Sequence, residues 1–329
     1  MTPQITRINT NKNLLAFSAG VDSTALFFIL LENNIPFDMA IVNYNIREQS
    51  QEEIQYAEKL AKKYNKEIYI KNVQLENLSN FEKKARDIRY DFFEEIIEQF
   101  SYETLITAHQ LNDKLEWFFM QLSKGAGLAE LISFEEYKNN GSYNIFKPLV
   151  NTSKNVLLKY LDENNIKYFT DQSNFEGKYK RNYFRKNYAN KFLDEFELGV
   201  KNSFDYLQKD LNSLSINQSP ILEKKELTIF NSFEDNNLNL RIIDKNLKKR
   251  GILLSKLQRD EILKQKEIVI SHKICINLTK KYIFISPFIN TTMTKKFKEK
   301  CRVIKLPKNI RPYIFNENLF EDTYKIIKN

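Results

Sequence analysis

A short apolar run, Leu14-Leu15-Ala16-Phe17, leads into Ser18-Ala19-Gly20-Val21-Asp22-Ser23 and then straight into TALFFILLENN. That order predicts a strand, a tight turn and a helix. The alternation continues down the chain. Met39 to Val42 is a second apolar run, and Glu52 to Tyr64 places Ile54, Ala57, Leu60, Ala61 and Tyr64 at helical spacing. Ile68 to Ile70 predicts a third strand, Phe81 to Phe100 a long helix, Leu105 to Thr107 a fourth strand and Asn112 to Leu122 another helix. Strands alternating with helices predict an α/β fold: an open, Rossmann-like parallel sheet with right-handed crossovers, covered on both faces. The chain turns polar and basic from Ser173 to Asn190, runs on as a polar helical stretch to about Ser219, and opens a new unit near Pro220.

The turn after the first strand carries the chemistry. The first N–H groups of a helix lack intrahelical partners and hold partial positive charge, so they can grip phosphate. Gly20 is expected to let the backbone approach an anion, with Ser18 and Ser23 adding hydroxyls. The chain has only seven glycines, so each is expected where φ is positive or backbones come close. Asp22 beside phosphate implies Mg²⁺ between them, or a nucleophile to orient. A plain Asp/Ser helix cap is the competing reading of the hexapeptide alone. No Walker A sequence occurs, which removes the P-loop kinase reading.

Three further segments stand out. In Ala85-Arg86-Asp87-Ile88-Arg89-Tyr90, Arg86 and Arg89 share a helix face and suit a phosphate or a carboxylate, or simply solvent and nearby acids such as Glu82. In TAHQLNDKLE, a strand ends near His109 and a helix begins near Asn112, at the sheet edge where open α/β folds bind ligands. Asp113 and Glu116 then face the same way, and could hold an ammonium group or merely complement the helix dipole. His109 is one of only two histidines. Lys124-Gly125-Ala126-Gly127 reads as a helix C-cap or a loop admitting a nucleotide.

The net charge is +9, which favours polyanions, although a Lys-rich composition alone raises it. Residues Lys295 to Arg311 hold eight Lys/Arg and one Glu. Cys275 and Cys301 are the only cysteines and form no CxxC pair, which argues against zinc ribbons and iron–sulfur sites. The N-terminal stretch lacks an apolar signal core and no run of about 18 apolar residues occurs, so a cytoplasmic protein without a membrane span is expected.

Taken in order, SAGVDS, ARDIRY, TAHQLNDKLE, KGAG, KPLV at 147–150, DQSN at 171–174 and KRNYFR at 180–185 resemble the tRNA(Ile)-lysidine synthetase family of PP-loop ATP pyrophosphatases. Residues 12–190 carry the resemblance most fully, and LSKLQRDEILK, KYIFISP and the basic end are similar more loosely. Three positions depart from the family pattern. Asn43-Tyr44 stands where the family has Asp-His, with Arg47 kept; Asn112 replaces the first acid of a pair; Ala19 replaces the first Gly of the phosphate turn. The first departure puts a metal or acid–base role there in doubt and leaves hydrogen bonding open.

The resemblance implies a PP-loop catalytic domain over 1–190, a helical linker over 191–222 and a small, basic, tRNA-binding α+β domain over 223–329. It implies ATP and Mg²⁺, free L-lysine and tRNA(Ile) with a CAU anticodon, with no membrane partner, and leaves a homodimer open. The wobble cytosine O2 would attack the α-phosphate and release pyrophosphate. Lysine would then attack C2 and expel AMP, changing codon reading from AUG to AUA. Ser18, Ala19, Gly20, Val21, Asp22 and Ser23 are the expected ATP contacts, with Asp22 on Mg²⁺ or pyrophosphate. Asp113 and Glu116 are the expected lysine-binding pair, and His109, Arg86 and Arg181 the candidates near nucleotide or base. Expected tRNA contacts are Arg181, Arg185, Lys295, Lys296, Lys298, Arg302, Lys305 and Arg311, and truncation before Met293 is expected to weaken them. Another PP-loop ligase, or an inactive tRNA-binding relative, remains open.

Overall fold

The computed structural model describes residues 12–45, 49–74, 81–170, 180–214 and 218–328. Arg47 and the DQSN segment at 171–174 lie outside the described residues. The chain divides into two compact units, Met1–Gln208 and Lys209–Asn329.

In the first unit, β1 (Asn13–Ala16), α1 (Val21–Glu32), β2 (Asp38–Asn43), α2 (Gln49–Lys63), β3 (Ile68–Asn72), α3 (Phe81–Phe100), β4 (Thr104–Thr107) and α4 (Leu111–Leu122) follow in strict alternation. A short α5 (Leu128–Leu131), the strands β5 (Tyr137–Asn139) and β6 (Asn144–Phe146), α6 (Lys154–Glu163), α7 (Lys180–Phe184) and most of α8 (Asn190–Ser213) complete it. Five residues between α7 and α8, Arg185–Ala189, form a π turn. The sheet order is β3-β2-β1-β4-β6-β5, parallel except for the β5–β6 pair.

Period-two alternation assigns the two cores. Leu15, Met39, Ile41 and Ile106 point into a cluster with Ala25, Phe27, Ile29 and Leu30 of α1. Their neighbours Leu14, Ala40 and Leu105 point to the other face, against Phe92, Phe93, Ile96 and Ile97 of α3. Strands apolar on both sides must be covered on both sides, as the apolar runs predict. The chain crosses from one face to the other between β1 and β4, so the turns that follow these two neighbouring strands open into one crevice.

The second unit has its own sheet, order β7-β8-β11-β10-β9 and antiparallel throughout. It comprises β7 (Leu222–Lys224), β8 (Leu227–Asn231), α9 (Asn236–Lys249), α10 (Lys256–Gln265), β9 (Glu267–Ile270), β10 (Ile274–Leu278) and β11 (Tyr282–Pro287). Three helices follow: α11 (Lys295–Val303), α12 (Arg311–Asn316) and α13 (Phe320–Lys328). Helices α9 and α10 cover one face through Ile242, Ile243, Leu247 and Ile262. The basic end covers the other, with Cys301, Ile304, Leu306, Ile310, Tyr313 and Ile314 all buried. The basic stretch is therefore a folded layer rather than a tail. Truncation before Met293 would strip a core face, which makes it an unfit probe of RNA contact.

Among the described residues, no helix is long and apolar enough to cross a membrane.

Candidate active site

The turn after β1 is closed by its own serines. Ser18 and Ser23 hydroxyls lie 3.1 Å apart, the Ser18 N–H donates to Ser23 Oγ at 3.2 Å, and Ser23 Oγ donates to the Gly20 carbonyl at 3.3 Å. Thr24 N–H reaches the same carbonyl at 2.9 Å and starts α1. Phe169 N–H donates to Ala19 O at 3.0 Å, tying the turn to a distant segment. Gly20 has φ −76°, so positive φ is not what a glycine serves there and close approach to an anion is the role left to it, whereas Ala19 has φ 57°. The left-handed position is thus the one where the family has Gly and this chain has Ala. A non-glycine residue there costs about 1 kcal/mol. The Ala19 methyl, fully buried in the α1-side core, offsets part of that.

Asp22 sits in the first turn of α1 beside this loop. One of its oxygens, Oδ1, is buried and has no hydrogen-bond partner. Burial, with Asp113 nearby, pushes its pKa up to about 7, against the pull of Lys154 and Arg185. A carboxylate left short of positive charge fits a cation. Mg²⁺ binds through one or two carboxylates plus substrate phosphates, so a single acid at a phosphate turn suffices. Among the described residues no cluster of three or more His, Cys, Asp or Glu could hold a metal by itself.

Helix α4 begins at the end of the second turn with a capping box. Gln110 Oε1 accepts from Asn112 N–H at 2.7 Å, and Asp113 Oδ2 accepts from Gln110 N–H at 2.9 Å. Asp113 and Glu116 are both buried, 7% and 1% exposed, and two arginines meet them. Glu116 accepts from Arg181 Nε at 2.5 Å and from Arg185 Nε at 2.7 Å. Asp113 pairs with Arg185, and with Arg181 at 3.5 Å. Burial works to raise the Asp113 pKa, but Arg185, His109, Arg181 and the Gln110 N–H hold it below the usual range. Glu116 moves upward, because burial outweighs the two arginines and Asp113 adds repulsion. The pair foreseen as an ammonium clamp thus holds two guanidinium groups here. Arg181 and Arg185, foreseen as RNA contacts, turn their Nε and Nη2 groups to these carboxylates and stay 37% and 28% exposed.

His109 accepts or donates at Nδ1 with Thr107 Oγ1, 2.9 Å away, and meets the Phe134 ring edge-on at 5.5 Å. Burial, with Arg181, Lys147 and Arg86 adding to it and Asp113 opposing, lowers its pKa to about 4. It is a neutral imidazole at pH 7. Arg86 lies exposed over the Tyr90 ring at 4.9 Å, and its charge reaches His109 and Lys147. Lys147, from the KPLV segment, was not singled out as a site residue. Burial lowers its pKa to about 8, and its ammonium donates to Glu135 O at 2.7 Å. Lys154 was also missed, since no motif spacing marks it, yet its charge reaches Asp22.

The two substituted positions are well satisfied. Asn112 donates to Asn190 Oδ1 at 2.8 Å and accepts from Lys154 N–H at 3.1 Å, tying α4 to α6 and α8. Asn43 donates to Asn72 Oδ1 at 3.0 Å, and Tyr44 donates to Ala85 O at 2.6 Å, anchoring the start of ARDIRY. In the second unit, Lys295, Lys296, Lys298, Arg302 and Lys305 are exposed, with Arg302 paired to Glu299 at 2.9 Å. Arg311 instead turns inward and donates from Nε to Leu306 O at 2.9 Å.

His109 and Asp22 make opposite, testable contributions to stability. His109 has a folded pKa near 4 against an ordinary 6.5, so its contribution is lost as pH falls from about 6.5 to 4. Asp22 has a folded pKa near 7 against 3.8, so the folded chain keeps a proton that the unfolded chain gives up. Its contribution is lost as pH rises from about 4 to 7. His109→Asn should therefore make stability fall more steeply with rising pH than in the parent protein, and Asp22→Asn should do the reverse. Denaturant titrations between pH 4.5 and 6.5, about the span between the two pKa values, read both slopes. Matching slopes in the two variants would contradict these environments.

A largely parallel sheet with a serine-closed turn at a helix N-terminus, and an acid beside it, has the form of a phosphate-binding nucleotide domain. The PP-loop domain family matches residues 2–192. The fold is similar to that of a U34-tRNA thiolase from Methanococcus maripaludis, at TM-score 0.52 and 19% identity over 64% of this chain and 76% of that one. Along nearly its whole length the sequence is 42% identical to a tRNA(Ile)-lysidine synthase of Helicobacter pylori, covering 97% of this chain and 94% of that protein. It is equally 42% identical to one from Campylobacter jejuni, covering 95% of each. The chain belongs to the tRNA(Ile)-lysidine synthase family. It is an ATP-dependent ligase of the PP-loop type.

Proposed function

We propose that this protein joins L-lysine to C2 of the wobble cytidine of tRNA(Ile) carrying a CAU anticodon, through an adenylated base. The observation that carries the reading is the meeting of the phosphate turn, Asp22 and the buried Asp113–Glu116 pair at neighbouring strand ends. The free N–H groups at the start of α1 grip the triphosphate. Asp22 holds Mg²⁺, which supplies charge compensation for departing pyrophosphate when bound. Neutral His109 can accept a hydrogen bond without adding charge to the pocket. Arg86 and Lys147, set around it, favour an anion. Lysine's ammonium takes over Asp113 or Glu116 from a guanidinium, and the released arginine turns to phosphate. A C2 carbonyl oxygen is a poor leaving group and AMP a far better one, which is why ATP is spent.

Incubation with ATP, Mg²⁺, labelled lysine and the CAU-anticodon transcript should place label in the RNA. Asp113→Asn should raise the lysine KM more than the ATP KM. Folded protein that transfers no label refutes the reaction, and equal changes in both KM values refute the role of Asp113.

The exposed lysines of α11 are proposed to contact RNA phosphate, which releases counterions. The triple variant Lys295→Glu, Lys296→Glu, Lys298→Glu leaves the core face of α11 untouched. Its log Kd against log salt for tRNA should flatten by roughly 2–3, near one per lost phosphate contact. An unchanged slope would remove this helix from the RNA interface.

A further inference from the structure

The stripe that carries the carboxylates continues past them. On α4, Asp113 and Glu116 are followed one turn on by Phe119; on the opposing segment, Arg181 and Arg185 are followed by Tyr188, Phe192 and Phe196. These rings touch in series. Phe119 lies 6.2 Å from Tyr188 and 6.0 Å from Phe192, and Phe192 lies 5.0 Å from Phe196. They line an open groove of about 390 Å³, with Asn187, Lys191 and Glu195 on its rim. Tyr188, Phe192 and Phe196 stay 45%, 44% and 51% exposed. The backbone departs from α-helix at both ends, through the π turn at Arg185–Ala189 and at Phe196, with φ −125° and ψ 26°. Such π turns recur at functional sites.

We infer that this groove is a stacking platform for unpaired RNA bases that neighbour the one entering the active site. The inference rests on the RNA-modifying reading above and adds a place for the rest of the loop. Aromatic faces in series accept any base, because every base has a π face. The rim supplies an amide, an ammonium and a carboxylate, which can meet base edges and backbone without demanding one sequence. Continuity fixes the occupant. A base held beside Asp113 and Glu116 leaves its loop neighbours at the mouth of the groove, where Phe119 and Tyr188 begin.

The test uses the full chain and a fluorescent RNA hairpin with a CAU loop. Phe192→Ala and Phe196→Ala, at half-exposed positions outside both cores, should each weaken hairpin binding roughly 5- to 150-fold, the range for losing one stacked base. The salt slope should stay unchanged, since no phosphate contact is lost. Phe192→Tyr and Phe196→Tyr should restore affinity, because they return a ring rather than a shape. Parent-like hairpin affinity in the double alanine variant overturns the proposal. So does a change of oligomeric state in sedimentation with RNA affinity intact, which would make the groove a contact between copies. Pyrophosphate release by the parent protein with ATP and tRNA is measured separately. Its failure would count against the reaction and leave the binding comparison to judge the groove.

Discussion

Asp22→Asn should slow pyrophosphate release roughly 10²- to 10³-fold, the usual effect of removing one group that compensates transition-state charge. The substitution is nearly isosteric and keeps the start of α1. What it removes is a carboxylate whose Oδ1 is buried without a partner and whose pKa burial lifts to about 7. A fold gains nothing from such a group at neutral pH. Near pH 8 the variant should melt no lower than the parent protein, because a buried charge beside Asp113 is gone. Loss of rate with an undiminished melting temperature is the expected pair of results. A parent-like rate at saturating Mg²⁺ and ATP would mean that Asp22 merely complements the dipole of α1 from its first turn.

The second large effect concerns stability. Arg185→Ala should cost about 3 kcal/mol, the lower end for breaking a buried ion pair by removing one partner. The lower end applies because Arg181 remains and the Arg185 side chain is 28% exposed. In a unit of this size that lowers the melting temperature by roughly 6–12 °C. The cause is Asp113 and Glu116, which stay buried after their shared guanidinium leaves. Adding Glu116→Gln should recover part of the loss, since one stranded charge disappears. Arg185→Lys should not, as an ammonium cannot span two carboxylates with a planar fork. A melting temperature within about 1 °C of the parent, well inside the shift one kcal/mol produces, would show that water reaches these carboxylates.

Much of the first unit was legible in the chain because its signals are local. Short continuous apolar runs mark β1, β2 and β4, whose two faces are both buried, and helical spacing marks α2 and α3. Family motifs located the phosphate turn and the α4 acids. The turn's backbone was less legible: Gly20 drew attention, while the left-handed residue is Ala19. Composition showed a basic end but not that α11 to α13 form one wall of a core. Nor did spacing separate Arg311, bound to a backbone carbonyl, from the exposed lysines before it.

Sequence alone determined the order of the first four strands and the helices between them, the serine-rich turn and which side chains are ionisable, because each follows from residues within a few positions of one another. Tertiary structure decided how those charges are used. Arg181 and Arg185 reach Glu116 across 65 and 69 residues of chain, and Lys154 reaches Asp22 from another helix. A guanidinium's partner, and a carboxylate's pKa, depend on what the fold brings within a few ångströms and on how much water it excludes.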